Sequence, residues 1–126
     1  MAYNITSNKK NTSFVIHIAS ANVDLKIAGN NSVSNVAISD EILSGAYITQ
    51  VFWGTDGTGT VQIFRDSTLV ANFDSSGYVD YAGAGMPLSV GQTANLAVKF
   101  VGSANAYCIL ECQKVGTLTS EYFYQA

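Results

Sequence analysis

A chain of 126 residues with only 12% charged side chains and a net charge of −3 has the length of a single domain and a neutral, hydroxyl-rich surface, since an average globular protein carries about 25% charged residues. At this length folding buries roughly 65–70% of the surface that the unfolded chain exposes, so a core forms without a metal or disulfide staple. The six Lys and Arg are spread thinly along the chain, which argues against a nucleic-acid backbone as partner, and no run reaches the roughly 18 apolar residues of a membrane helix.

The start, MAYNITSNKK, has no hydrophobic stretch after its charges, so the expectation is a chain made soluble and not secreted by the ordinary route. Residues 1–12 are polar and lack a period, and read as an N-terminal arm whose ordering needs a partner. Asn-x-Ser/Thr triplets at Asn4, Asn11 and Asn30 read as ordinary polar loop sequence in that setting.

From Ser13 to Ala19 the run SFVIHIA predicts a strand covered on both faces, and Asn22 to Ile27 alternates with Val23, Leu25 and Ile27 inward; together they predict a first hairpin. Gly29 to Ser32 is a turn by composition, and Ser34 to Ile38 a further short strand. Asp40 to Leu43 is the one segment with helical character, with Ser39 as N-cap and Gly45 ending it.

Between Tyr47 and Val79 three successive strands predict a β-meander. Thr55-Asp56-Gly57-Thr58-Gly59 supplies the positive-φ positions of a hairpin loop, and Asp66-Ser67-Thr68 and Asp74-Ser75-Ser76-Gly77 supply short polar turns. The glycines of this loop and of AGAGMPLSVGQTA, which follows Tyr81, lead into no helix, unlike a phosphate-binding loop. Strands over Asn95 to Val101 and Ala106 to Val115 close the series. Eight or nine short strands at this spacing predict an all-β, single-domain antiparallel β-sandwich, jelly-roll or immunoglobulin-like, over residues 13–116.

Residues 117–126 form a C-terminal tail in which Tyr122, Phe123 and Tyr124 stand together. They either add an edge strand to the chain's own sheet or dock on a neighbour, and as large, low-entropy side chains they are the candidate partner-binding residues.

No catalytic, metal or cofactor site emerges. Cys108 and Cys112 lie four apart in one strand, about 13 Å from each other, beyond the roughly 7 Å that a disulfide tolerates; they read as reduced thiols packed as small hydrophobes. His17, the one histidine, shares a strand face with Val15 and Ala19 and reads as structural. The carboxylates fall mostly at turns and strand ends, where Asp caps local backbone, and no two are selected as a glycosidase pair. The expectation is a protein that is not an enzyme.

The block ITQVFWGTDGTGTVQIFRDSTLVANFDSSGYVDYAGAGMPLSVGQTANLAVKF resembles small structural proteins encoded by marine tailed bacteriophages. The shared pattern is a Trp ending a strand (Trp53), an I-x-R strand end (Ile63, Arg65), a polar turn into LVANF (Leu69 to Phe73) and the GAGMP segment (Gly83 to Pro87). The resemblance covers about half of the chain and carries no catalytic signature. It implies a virion component with a β-sandwich fold: a capsid decoration, or cement, protein on the outer face of the head. Its partners would be the major capsid protein or another virion protein and further copies of itself. The alternative is a carbohydrate-binding or tail- or fibre-associated module, for which the seven Tyr and one Trp are stacking candidates. Trp53, Tyr78 and Tyr81 on one exposed face would favour it.

Overall fold

The computed structural model describes residues 3–19, 21–81, 93–102 and 105–118, with side chains through 116. Ten strands run β1 Tyr3–Lys9, β2 Ser13–Ala19, β3 Val23–Leu25, β4 Gly29–Asn30, β5 Glu41–Gly54, β6 Thr60–Arg65, β7 Thr68–Asp74, β8 Ser76–Asp80, β9 Leu96–Val101 and β10 Tyr107–Leu118. They form two antiparallel sheets: β1-β2-β10-β5, with β4 and β8 both paired to β5, and β3-β9-β6-β7. The predicted all-β sandwich is the architecture, and no helix occurs among the described residues.

The core lies between the sheets, and strand registers show how the sequence builds it. Three inward rows cross the larger sheet: Tyr3, Ile18, Cys108, Trp53 and Gly77; Ile5, Ile16, Leu110, Val51 and Val79; and Asn8, Phe14, Cys112 and Ile48. Val23, Leu25, Val61, Ile63, Leu96 and Val98 face them from the smaller sheet. Each fully buried aliphatic side chain stabilises the fold by about 1.5–3 kcal/mol relative to exposure.

Bulges keep long strands in phase with this core. In β5 the inward positions are Glu41 and Leu43, then Ala46 and Ile48, then Val51 and Trp53; each switch from odd to even or back falls at a register shift, where Ser44 and Thr49 are the extra residues. Their hydroxyls donate to the facing carbonyls of Val115 and Glu111 at 3.2 and 3.0 Å. A similar shift at Thr6 in β1 turns Asn8 to the side that Tyr3 and Ile5 occupy. An extra residue reverses which side chains face inward, because strand alternation has period two.

Several expected elements are corrected. Residues 3–9 are an edge strand paired with β2, not a free polar arm, because Tyr3 and Ile5 pack on the core and β2 satisfies the backbone. The strand β10 continues to Leu118, so the sheet extends beyond residues 13–116 at both ends. β2 and β3 belong to different sheets and form no hairpin. β2 is buried on one face, with His17 and Ala19 exposed on the other.

Residues 34–38 hold no strand, because Ser34 Oγ accepts from the N–H groups of Val36 and Ala37 and shapes a turn. The segment 40–43 is not helical, since Asp40 takes φ 67° and Glu41 begins β5 with its carboxylate drawn inward. The meander is replaced by two crossings: residues 55–59 carry the chain from β5 in one sheet to β6 in the other, and Ser75, at φ 57°, carries it back from β7 to β8. The two crossings are joined where Thr55 N–H donates to Ser75 O at 2.8 Å. Only β6 and β7 form a hairpin within that stretch.

Candidate functional site

The outward face of the larger sheet carries the most distinctive surface. By register, His17, Ile109, Phe52 and Tyr78 form one row across β2, β10, β5 and β8. Phe52 and Tyr78 are stacked, with centroids 4.4 Å apart and planes at 30°, and are 38% and 48% exposed. Tyr107, 40% exposed, meets His17 edge-on at 6.3 Å and lies over Gly54, where a Cβ would come within 2.4 Å of its ring. Gly54 is thus required for this tyrosine to lie flat.

The next outward row is Val15, Glu111, Gln50 and Asp80. At this row, lined by its Gln50 and Glu111 together with Asn11, Ser13, Thr49 and Gln113, runs a shallow polar groove of about 450 Å³. An aromatic band beside hydrogen-bonding groups on a rigid sheet suits contact with another surface, since aromatic side chains bury large area at small entropy cost.

Among the described residues three charged side chains are buried, Arg65 in one place and Lys114 with Glu41 in another. Arg65, 1% exposed, ends β6 on its inward face; Nη1 donates to Ala46 O at 2.9 Å and Nη2 to Ala94 O at 2.8 Å. It therefore links β5 of one sheet to the segment leading into β9 of the other. Burial lowers its pKa, while the neighbouring Cys112 and Asp66 act in the opposite direction.

The second cluster joins four segments. Lys114 and Glu41 form an ion pair with Nζ–Oε1 2.7 Å and both side chains fully buried, and Nζ also donates to Asn8 Oδ1 at 2.5 Å. Glu41 further accepts from Asn11 N–H at 2.6 Å and Ile38 N–H at 2.9 Å, and Asn8 Nδ2 donates to Val36 O at 3.0 Å. Burial pushes the Glu41 carboxyl up, but the two backbone donors and Lys114 together hold it below its ordinary value.

The candidate residues named from sequence are placed as follows. Cys108 and Cys112 are buried free thiols, each pushed up to about 12 by burial. His17 is on the outward face of β2. Asp56 caps its own loop, accepting from Thr58, and Asp66 accepts from Asn95 N–H. Among the described residues no three His, Cys, Asp or Glu side chains gather as a metal site. Trp53, Tyr78 and Tyr81 share no face: Trp53 is buried, stacked on Phe73 at 4.0 Å, while Tyr78 is exposed and Tyr81 half-buried against the core. Tyr122, Phe123, Tyr124 and the segment 83–87 lie outside the described residues.

Sequence reasoning passed over Glu41, Lys114 and Asn8, although part of the signal was present. Lys114 follows Cys108, Leu110 and Cys112 at alternate positions in one strand, and Arg65 follows Val61 and Ile63 in the same way. A charge on the apolar face of a strand calls for a buried partner. The identity of that partner was not readable, because Lys114 meets groups 73 and 106 positions away. Phe52 was hidden by its adjacency to Trp53, and only the bulge at Thr49 decides which of them faces out. Comparison with protein-family models, characterised proteins and solved structures finds no match for this chain.

Proposed function

We propose that this chain is a non-enzymatic structural protein of a virion, a decoration protein that seats on the outer surface of a phage head against the major capsid protein. The observation that carries the docking part of this reading is the outward-facing row His17, Ile109, Phe52 and Tyr78, with Phe52 and Tyr78 exposed and Tyr107 exposed beside it. It lies on a sheet that stands on a complete core of its own. The resemblance of the block from Ile48 to Phe100 to phage structural proteins supports the virion assignment. Low charge suits attachment through apolar contacts, and repeated attachment to a lattice multiplies weak contacts into durable binding. Tyr122, Phe123 and Tyr124 are proposed as further anchors, with other copies of the chain as additional neighbours.

The sugar-binding reading is supported by the exposed Phe52, Tyr78 and Tyr107 beside Gln50, Glu111 and Asp80. It is the weaker of the two, because sugar rings stack on open aromatic faces, and the Phe52–Tyr78 stack turns one face of each ring toward the other. The test is rebinding of purified chain to particles that lack it. Wild-type chain is expected to bind and the double variant Phe52→Ser, Tyr78→Ser to lose at least about tenfold in affinity, each interface aromatic being worth about 1–2 kcal/mol or more. Equal binding by both would remove this face from the docking surface, and failure of the wild type to bind any particle would remove the virion assignment.

A further inference from the structure

The Lys114–Glu41–Asn8 cluster is an unusual thing to bury. An ion pair withdrawn from water generally stabilises a fold less than apolar side chains of the same volume, and here a carboxamide is added to it. The three groups also have a specific mutual geometry. Lys114 Nζ lies 2.5 Å from Asn8 Oδ1 and 2.7 Å from Glu41 Oε1; with a carbonyl bond of about 1.2 Å, Nζ is no more than about 3.7 Å from Asn8 Cγ. That is close to the separation at which a positioned nucleophile attacks a carbonyl carbon.

We infer that Lys114 and Asn8 are joined by an intramolecular isopeptide bond, formed with Glu41 as the proton-transfer group. Glu41 Oε1 takes a proton from the Lys114 ammonium, leaving Nζ with a free electron pair. Nζ forms a bond to Asn8 Cγ, and the Cγ–Nδ2 bond breaks with its electron pair on Nδ2. A second proton passes from Nζ through Glu41 to Nδ2, which departs as ammonia. Ammonium, carboxylate and carboxamide thus become a secondary amide, a neutral carboxylic acid and ammonia, with no oxidant or other reactant consumed.

The surroundings hold the reacting groups together and keep water from them. Once Lys114 has become an amide its positive charge no longer favours the Glu41 anion, so burial weighs more heavily toward the acid left on Glu41, against the remaining N–H donors of Asn11 and Ile38. Asn8 is fixed by the Nδ2 bond to Val36 O, and Glu41 by the N–H groups of Asn11 and Ile38, so the reacting groups are held in place before reaction. Both Lys114 and Glu41 side chains are fully withdrawn from solvent, which limits hydrolysis of the product. The turn between β1 and β2 ends beside the cluster, where Lys114 N–H donates to Thr12 O at 2.9 Å, so no side chain of β2 need lie between the joined strands. The bond would tie β1 to β10, the first and last described strands, across a separation of 106 positions.

The test is the mass of the purified, folded full chain, followed by tryptic mapping after denaturation. Loss of ammonia lowers the mass by about 17 Da relative to the sequence, allowing for the initiator methionine. Trypsin is expected to release one branched peptide that joins residues ending at Lys9 to residues 100–126, uncut at Lys114. A folded chain at full sequence mass, or a loss of about 17 Da with normal cleavage after Lys114, as a succinimide elsewhere would give, overturns the inference. Glu41→Gln, shown by its strand dichroism to be folded, is expected to retain the full mass; an unchanged loss of ammonia in that variant would exclude Glu41 from the chemistry. The wild-type mass decides the existence of the bond whatever the variant does.

Discussion

Gly77→Ala is a one-methyl change whose effect can be worked out from a single side chain. A Cβ at position 77 would lie 2.6 Å from Cζ2 and 2.9 Å from Cη2 of Trp53, well inside contact distance. The backbone of Gly77 is ordinary extended strand, so the penalty comes from this collision and not from φ. The indole has no easy retreat, because it is stacked on Phe73 with centroids at 4.0 Å and Nε1 donates to Asp74 O at 2.9 Å. Overpacking alone costs about 1–3 kcal/mol, and loss of the aromatic stack adds about 0.5–1.5 kcal/mol. Allowing for partial relaxation, destabilisation of about 2–4 kcal/mol is expected, a large share of the 5–15 kcal/mol typical of whole domains. Trp53 is the one tryptophan in the chain, so its fluorescence reports both the displaced ring in the native state and the urea midpoint. A Trp53→Leu background provides the control, in which adding Gly77→Ala should cost less than half as much. An unchanged emission maximum together with a stability within about 0.5 kcal/mol of wild type, the scatter of ordinary surface changes, would refute the packing described between the two sheets.

Three further outcomes are expected. In Asn8→Ala, where the Lys114–Glu41 pair remains but no isopeptide can form, the depressed Glu41 pKa contributes stability that is fully present above the unfolded carboxylate range. That contribution is lost as pH falls through the folded value, so urea midpoints measured from pH 7 downward should drop in acid, and no drop beyond that of a Glu41→Gln, Asn8→Ala control would contradict the pairing. Cys108 and Cys112, buried and raised to about 12, should resist a thiol reagent at pH 8 until the chain unfolds, since the thiolate is the reactive form; rapid native-state labelling would show the core to be open there. Truncation after Leu118 should preserve strand dichroism and the urea midpoint while lowering incorporation into particles, and unchanged incorporation would remove Tyr122, Phe123 and Tyr124 from the docking contacts.

The sandwich was legible because strand-length apolar runs and polar turns recur along the chain, but which strands share a sheet was not. A Gly-rich loop such as residues 55–59 is equally suited to a hairpin and to a crossing between sheets, since both need positive φ, here 98° at Gly57 and 79° at Gly59. What decides for the crossing is remote: Trp53 must reach Phe73 and Asp74 across the core. The N-terminal strand escaped notice because the bulge at Thr6 breaks its alternation and because polar Asn8 faces inward to a lysine near the other end of the sequence. The segment at Asp40 and Glu41 looked like a helix start because an acidic pair after Ser39 is a good local fit to one. A buried ion pair, invisible to local propensity, turned it into the beginning of a strand. The aromatic row on the larger sheet was not legible, since the sequence pointed to Tyr122, Phe123 and Tyr124 for docking, and Phe52, Tyr78 and Tyr107 become neighbours only once β5, β8 and β10 are in register.

Docking through the outward face of the larger sheet, on the surface of a phage head, is the central functional claim, and a cryo-EM map of the intact particle tests it most directly. The map is expected to hold a two-sheet density on the outer capsid surface in many symmetry-related copies, with Phe52, Tyr78 and Tyr107 turned toward the neighbouring subunit. A particle that lacks this chain, or one in which the chain is present with that aromatic row facing solvent, would contradict it.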